Sequence, residues 1–263
     1  MNKVRIMTIL SSCIAVLFLV CFGWAMKDYY GKHKNGSLDK PKISASVPTS
    51  DKNSMDIVAL GDSLTRGTGD DSGKGYVGIV TDKLKKKFKT NVIVHNLGIN
   101  GQTSVQLAKQ VKQEEVKRQL AGTDTVMITI GGNDLFQGGK TLSDLAPKNI
   151  KAIQTGYLKN LKSILTDIRS DNKEVTVFVI GLYNPFIGLQ DSKLTSAIVR
   201  DWNYQASELC AGYSKVVFIP VFDLFQLSIN DYLYSDKFHP NQAGYQLIAE
   251  RIAPMIKWEG NKP

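Results

Sequence analysis

From Asp56 onward, short runs of β-branched and aliphatic residues alternate with longer stretches in which apolar side chains recur every three or four positions. The runs Asp56 to Leu60, Asn91 to His95, Thr125 to Ile130, Val175 to Leu182 and Val216 to Pro220 have the length and composition of strands. Between them the periodicity predicts helices over Tyr76 to Lys89, Ser104 to Leu120, Asn149 to Ser170 and Ser192 to Tyr213. The third is the clearest, because Ile150, Ile153, Tyr157, Leu161, Ile164 and Ile168 share one face. Near-continuous apolar strands separated by helices predict an α/β fold, with a parallel sheet covered on both sides. A last helix through Tyr245, Ile248 and Ile252 has Asn241 as its expected N-cap.

This architecture says where chemistry belongs, since sites in open parallel sheets form beyond the carboxyl ends of the strands. The loops after the first three strands carry Gly61-Asp62-Ser63-Leu64, Asn96-Leu97-Gly98 and Gly131-Gly132-Asn133-Asp134. A fourth polar segment, Asp236-Lys237-Phe238-His239-Pro240, comes late in the chain. A serine hydroxyl is a weak nucleophile until a base takes its proton. His33 falls in a polar segment and His95 ends a strand as a structural residue, which leaves His239 as the base. Asp236 can reach the same imidazole across a turn, fix its tautomer and stabilise the imidazolium formed when Ser63 loses its proton. Asp223 and Asp231 are the rival acids. The backbone N–H groups of Ser63 and Gly98, with the side-chain amide of Asn133, can donate to an oxygen that becomes negative during acyl transfer. Taken singly, each motif has a plainer reading, because serine and glycine after a strand are common turn and cap residues. Asp62 and Asp134 read as loop-ordering groups rather than as the carboxylate pair of a glycosidase.

The four segments, in this order, resemble the GDSL or SGNH hydrolase family. Ser63, Gly98, Asn133 and His239 stand at the S, G, N and H positions, and Asp236 stands where the histidine is oriented. The likeness covers nearly all of residues 54–257. It is closest to bacterial lysophospholipase-like members, through Gly61-Asp62-Ser63-Leu64-Thr65-Arg66-Gly67 and the Asp236-x-x-His239 spacing. It implies a flavodoxin-like three-layer α/β/α fold with a five-stranded parallel sheet. It also implies a serine esterase that works through an acyl-enzyme on Ser63, with no cofactor and no metal. Ser63 lacks a Gly-x-Ser-x-Gly elbow, which separates the chain from ordinary α/β-hydrolases. The apolar loop residues Leu135, Phe136, Tyr183, Pro185, Phe186, Phe222, Phe225, Tyr232 and Leu233 favour lipid-like acyl esters such as lysophospholipids. Removal of acetyl groups from cell-wall polysaccharide is the alternative within enzymes. A non-catalytic binding module on the same fold is the alternative of another class.

The N-terminal part departs from this pattern. Ile6 to Trp24 is an uncharged run of 19 mostly apolar residues, which as a helix would span roughly 28 Å, close to a bilayer's hydrocarbon core. Residues 1–26 are therefore expected to be a transmembrane anchor, or a signal peptide cleaved near Gly23-Trp24-Ala25. Residues 27–53 are rich in Lys, Ser, Asn and Pro and read as a flexible tether. Residues 54–263 then form the hydrolase domain. Basic residues flank the apolar run on both sides, so charge bias does not orient it. An apolar segment behind a short basic stretch is what export machinery reads, which places the domain outside the cell membrane.

More than half of the net charge of +9 lies in the first 53 residues, leaving a mildly basic domain. Its densest cluster, Lys83, Lys85, Lys86, Lys87 and Lys89, reads as the solvated face of a helix. No basic motif interleaved with aromatics suggests nucleic acid. Cys210 is the one cysteine beyond the apolar run and falls on the apolar side of its helix, as a buried thiol. Nothing in the chain sets an oligomeric state.

Overall fold

The computed structural model describes residues 54–189 and 191–260, together with Lys27. The segments expected to be an anchor, 1–26, and a tether, 27–53, lie outside the described residues, Lys27 apart. No helix of the described residues is long and apolar enough to cross a membrane.

Five strands, β1 (Ser54–Gly61), β2 (Asn91–Asn96), β3 (Thr125–Thr129), β4 (Thr176–Ile180) and β5 (Val216–Ile219), form one sheet in the order β2-β1-β3-β4-β5. Every pairing is parallel. The fold is the flavodoxin-like α/β architecture expected of the sequence. β3 is central and all five of its residues are buried, which is why Val126, Met127 and Ile128 follow one another without polar alternation.

Alternate strand residues feed two separate cores. On one side Val58, Leu60, Val126, Ile128, Val177 and Val179 pack under four helices: α3 (Ser104–Gln110), α4 (Glu114–Ala121), α6 (Pro147–Asp171) and α7 (Ser192–Ala211). On the other side Ile57, Ala59, Met127, Phe178 and Ile219 pack under α2 (Gly75–Phe88) and α10 (Gln242–Ile252). Asn241 Oδ1 accepts from Gly244 N at 3.0 Å, the expected N-cap of α10. Lys87 donates to the Pro254 and Ile256 carbonyls, so this member of the lysine cluster fastens the chain end to α2. Cys210 is buried, and burial pushes its thiol up to about 12.

The helix expected over Ser104 to Leu120 is two helices. Its buried apolar positions are Leu107, Val111, Val116 and Leu120, and the five-residue step in the middle cannot keep one helical face. The chain leaves the helix after Gln110, passes through an extended Gln113 and restarts at Glu114. This break ends α3 at Gln110.

Candidate active site

Four short helices crown the carboxyl edge. α1 (Ser63–Arg66) follows β1, α5 (Gly132–Phe136) follows β3, and α8 (Phe222–Gln226) and α9 (Ile229–Tyr232) follow β5. Asp62 caps α1, its Oδ1 accepting from Leu64 N at 3.0 Å. Ser63 therefore sits at the first helical position, where a backbone N–H has no intrahelical partner. Ser63 is 5 % exposed.

Its hydroxyl lies 2.8 Å from His239 Nε2, and His239 Nδ1 lies 2.6 Å from Asp236 Oδ2. The other carboxylate oxygen of Asp236 accepts from the backbone N–H groups of Phe238 at 2.9 Å and His239 at 3.0 Å. One residue thus builds the turn and holds the ring. Burial alone would raise the Asp236 carboxyl, but hydrogen bonds from the imidazole and the two backbone groups outweigh it and hold it below the usual range. A bridge between Leu233 and Pro240, with Tyr234 N donating to the His239 carbonyl at 2.8 Å, closes the loop that carries both residues. The rival acids are elsewhere: Asp223 is bound by both guanidinium nitrogens of Arg251, at 2.7 and 2.8 Å. Asp231 holds Asn241 through its backbone carbonyl only.

Asn133, on α5, donates from Nδ2 to the Gln102 carbonyl at 2.9 Å. An amide carries two N–H groups, so a second remains for a substrate. Asp134 accepts from Ser104 N at 2.9 Å and from the Ser104 hydroxyl at 2.5 Å, joining the loop after β2 to the one after β3. It orders loops, as expected.

Gly98 is a correction. Its N–H donates to Asn96 Oδ1 at 3.1 Å, so the donor expected to face the oxyanion is already taken. Gly98 does not line the cleft. A Cβ there would stand 2.7 Å from Arg66 N and 2.9 Å from Thr65 Cβ, so glycine is required for the loop to lie against α1. The cleft is reached instead by Gly101, three residues on, together with Ser63, Asn133 and His239. Gly101 has φ +74°, suited to the third position of a type II turn, and a Cβ there would meet nothing within 4 Å. Its N–H and that of Ser63 have no acceptor among the described residues. The Asn100-Gly101 dipeptide was the available turn signal.

The cleft encloses about 590 Å³ and is walled by Phe136, Pro185, Phe186, Leu189 and Phe238. A narrow notch of about 20 Å³ opens beside Ser63 among Ile130, Phe136, Leu182, Tyr183 and Phe238. Of the apolar residues named from sequence, Phe136, Tyr183, Pro185 and Phe186 line one or both. Leu135, Phe225 and Leu233 are core residues instead. Phe222 packs on Arg200 and Tyr232 on Phe225. Phe238 and Leu189 escaped the sequence reading because lining a cleft leaves no periodic mark. Phe136 meets Phe186 and Phe238 edge to face, with centroids 5.0 and 6.0 Å apart.

Asp62 is fully enclosed behind this site, and burial pushes its carboxyl up to about 6, against hydrogen bonds from Thr129 and Leu64 that lower it. Thr129 Oγ1 donates to it at 2.8 Å, and Thr65 and Tyr76 continue the chain behind. The folded protein then holds the proton more tightly than the unfolded chain, so this group's stability contribution falls as pH rises from about 4 to about 6 and stays low above. Asp62→Asn keeps the acceptor oxygen without the charge. The variant should be more stable than the parent by on the order of 3 kcal/mol above pH 6, with the gap closing between pH 6 and 4. Urea melts of both proteins across that range are the check, and a gap that does not change with pH would refute the assignment.

A parallel sheet carrying a serine, histidine and aspartate in hydrogen-bonded series at its carboxyl edge defines a serine hydrolase outside the elbow type. The family model described as GDSL-like Lipase/Acylhydrolase matches residues 59–247, and the chain belongs to that family. It is an ester-hydrolysing enzyme. The uncharacterized protein YpmR of Bacillus subtilis is 35 % identical over 81 % of this chain and 85 % of its own length. The spore germination lipase LipC of Bacillus licheniformis is 24 % identical over 75 % of this chain and 94 % of its own. Among solved structures, the lipase Lip_vut3 from goat rumen metagenome shares the fold with a TM-score of 0.70 at 23 % identity, over 76 % of this chain and 96 % of that one. The acetylxylan esterase Axe2 of Geobacillus stearothermophilus does so with a TM-score of 0.60 at 21 % identity, over 79 % and 96 %.

Proposed function

We propose that the enzyme hydrolyses lipid-like acyl esters, lysophospholipids or esters of short to medium acyl chains, through an acyl-enzyme on Ser63. His239 Nε2 takes the Ser63 proton as Oγ bonds to the ester carbonyl carbon. Asp236 holds the Nδ1–H tautomer and stabilises the imidazolium. The carbonyl oxygen becomes negative and receives hydrogen bonds from the Ser63 and Gly101 N–H groups and from Asn133 Nδ2. Collapse breaks the bond to the alcohol oxygen, which leaves with the proton from His239. Water then attacks the acyl-enzyme, giving a proton to His239, and Ser63 recovers its proton as the acid departs.

The observation that carries the substrate reading is the cleft: about 590 Å³ with phenylalanine walls, far more than an acetyl group fills. The notch of about 20 Å³ beside Ser63 favours a second reading, since it has room for little more than a methyl group. In that reading the acetyl group enters the notch, and the large cleft holds the alcohol, a cell-wall polysaccharide. Attachment to the outer face of the membrane through residues 6–24 is proposed from the sequence and suits either substrate.

A series of p-nitrophenyl esters, with lysophospholipid and acetylated glycan beside it, separates the two. If the acyl chain lies along the phenylalanine walls, kcat/KM should climb from acetate by up to roughly fourfold for each methylene buried. Phe186→Ala should flatten that climb. A maximum at acetate, with acetylated glycan the best natural substrate, would replace the lipid reading with the polysaccharide one.

A further inference from the structure

The loop Leu97–Thr103 carries Gly101 and the carbonyl that holds Asn133. Ile99, its large aliphatic side chain beyond Leu97, is 50 % exposed. Beneath it lie two buried amides: Gln102 is 3 % exposed and Gln110, the last residue of α3, is 8 % exposed. Gln102 Nε2 donates to Gln110 Oε1 at 2.8 Å, and Gln110 Nε2 donates to the Leu97 carbonyl at 3.0 Å. The Gln102 backbone carbonyl accepts from Asn133 Nδ2. The loop that presents Gly101 is thus tied through side chains to one helix at Leu97 and at Gln102.

Chemistry fixes which way the amides point. The Leu97 carbonyl needs a donor, so Gln110 gives it Nε2 and turns Oε1 toward Gln102. Gln102 must then answer with Nε2, and its own Oε1 is left buried without a donor among the described residues. An orphaned buried acceptor destabilises a fold, whereas apolar residues of the same shape at both positions would be near neutral. The arrangement is therefore dearer for folding than a hydrocarbon filling. We propose that Gln102 and Gln110 are positioning residues for ester hydrolysis, holding the Gly101 N–H and Asn133 Nδ2 where the oxyanion forms; this rests on the mechanism proposed above.

Removing an oxyanion donor outright costs roughly a hundredfold to a thousandfold in kcat, so misaiming two should cost about tenfold to a hundredfold. In the full-length enzyme, Gln110→Leu should lower kcat by that factor with KM within about twofold, because donors aimed at the transition state do not hold the ground state. Affinity for a phenylboronic acid, which forms a tetrahedral adduct on the serine, should fall in parallel. Gln102→Met, which removes the orphaned oxygen along with the amide bond, should show the same kcat loss without loss of thermal stability. A folded Gln110→Leu enzyme with wild-type kcat, or one whose loss lies in KM with boronate affinity intact, overturns the proposal. Should Gln110→Leu not fold, Gln102→Met decides by the same criteria. Ser63→Ala separates the two levels: if it remains active the mechanism itself is wrong, and if it is inactive while both glutamine variants keep full kcat, only the positioning role fails.

Discussion

Ser63→Ala should give a folded protein with ester turnover lowered by at least about ten-thousandfold. The hydroxyl is the atom to which the acyl group transfers, and it stands 2.8 Å from the imidazole that takes its proton. Among the described residues no other hydroxyl is bonded to a histidine: Thr68, in the same cleft, donates to Asn100 Oδ1 instead. Cys210, on α7 in the core, is buried, and its thiol is pushed up to about 12. The fold should be undisturbed, because α1 is capped by Asp62 and packed through Leu64 and Thr65 rather than through the Ser63 side chain. Steady-state hydrolysis of p-nitrophenyl butanoate, beside a circular dichroism spectrum, reads the result. Turnover near the parent rate in the folded variant would exclude the acyl-enzyme mechanism. Incubation with a fluorophosphonate, which labels an activated serine, should modify the parent and spare the variant.

Asp236→Asn should be the second largest loss, roughly a hundredfold to ten-thousandfold in kcat. The carboxylate has two oxygens and uses both, one on two backbone N–H groups and the other on His239 Nδ1. Asparagine has one oxygen. If it stays on the backbone groups, the amide NH2 faces Nδ1, which must then carry no hydrogen. The ring proton moves to Nε2, and a nitrogen that should accept from Ser63 becomes a donor. If the amide flips, the turn holding His239 loses its acceptor. Asp223→Asn is the matched control: its partner is Arg251, so kcat should stay within about twofold. A damaging Asp223→Asn beside a harmless Asp236→Asn would reassign the orienting acid.

Much of the fold is legible in the chain because strand and helix announce themselves through local periodicity. β3 is apolar on both faces from Val126 to Ile128 since helices cover both of them, and Asn241 is a polar side chain at the place where an apolar period begins. The failure at Ser104 to Leu120 is instructive: the stretch is helical in composition, and only the spacing from Val111 to Val116 betrays the break. Ser63, Asp236 and His239 were legible for a different reason. The topology predicted from periodicity puts the end of β1 on one edge, and chemical elimination leaves one base, with Asp236 as its nearest acid; the rivals Asp223 and Asp231 are removed only by the structure.

What the sequence by itself determined, then, is the class of fold, the edge that bears the site, the serine and the histidine that meet there, and Asp236 as the nearest of three candidate acids. The tertiary structure alone decided which glycine faces the cleft. Gly98 and Gly101 lie three residues apart and are alike as residues; one is taken up by a turn on Asn96 and by the approach of α1, and the second of these contacts is made across the sheet edge, where no local pattern records it. The same holds for Phe238 and Leu189 in the cleft wall and for the buried amides beneath the loop. Periodicity reports which side of an element is dry, whereas a cleft and a hydrogen-bond brace depend on where separate elements come to rest against one another.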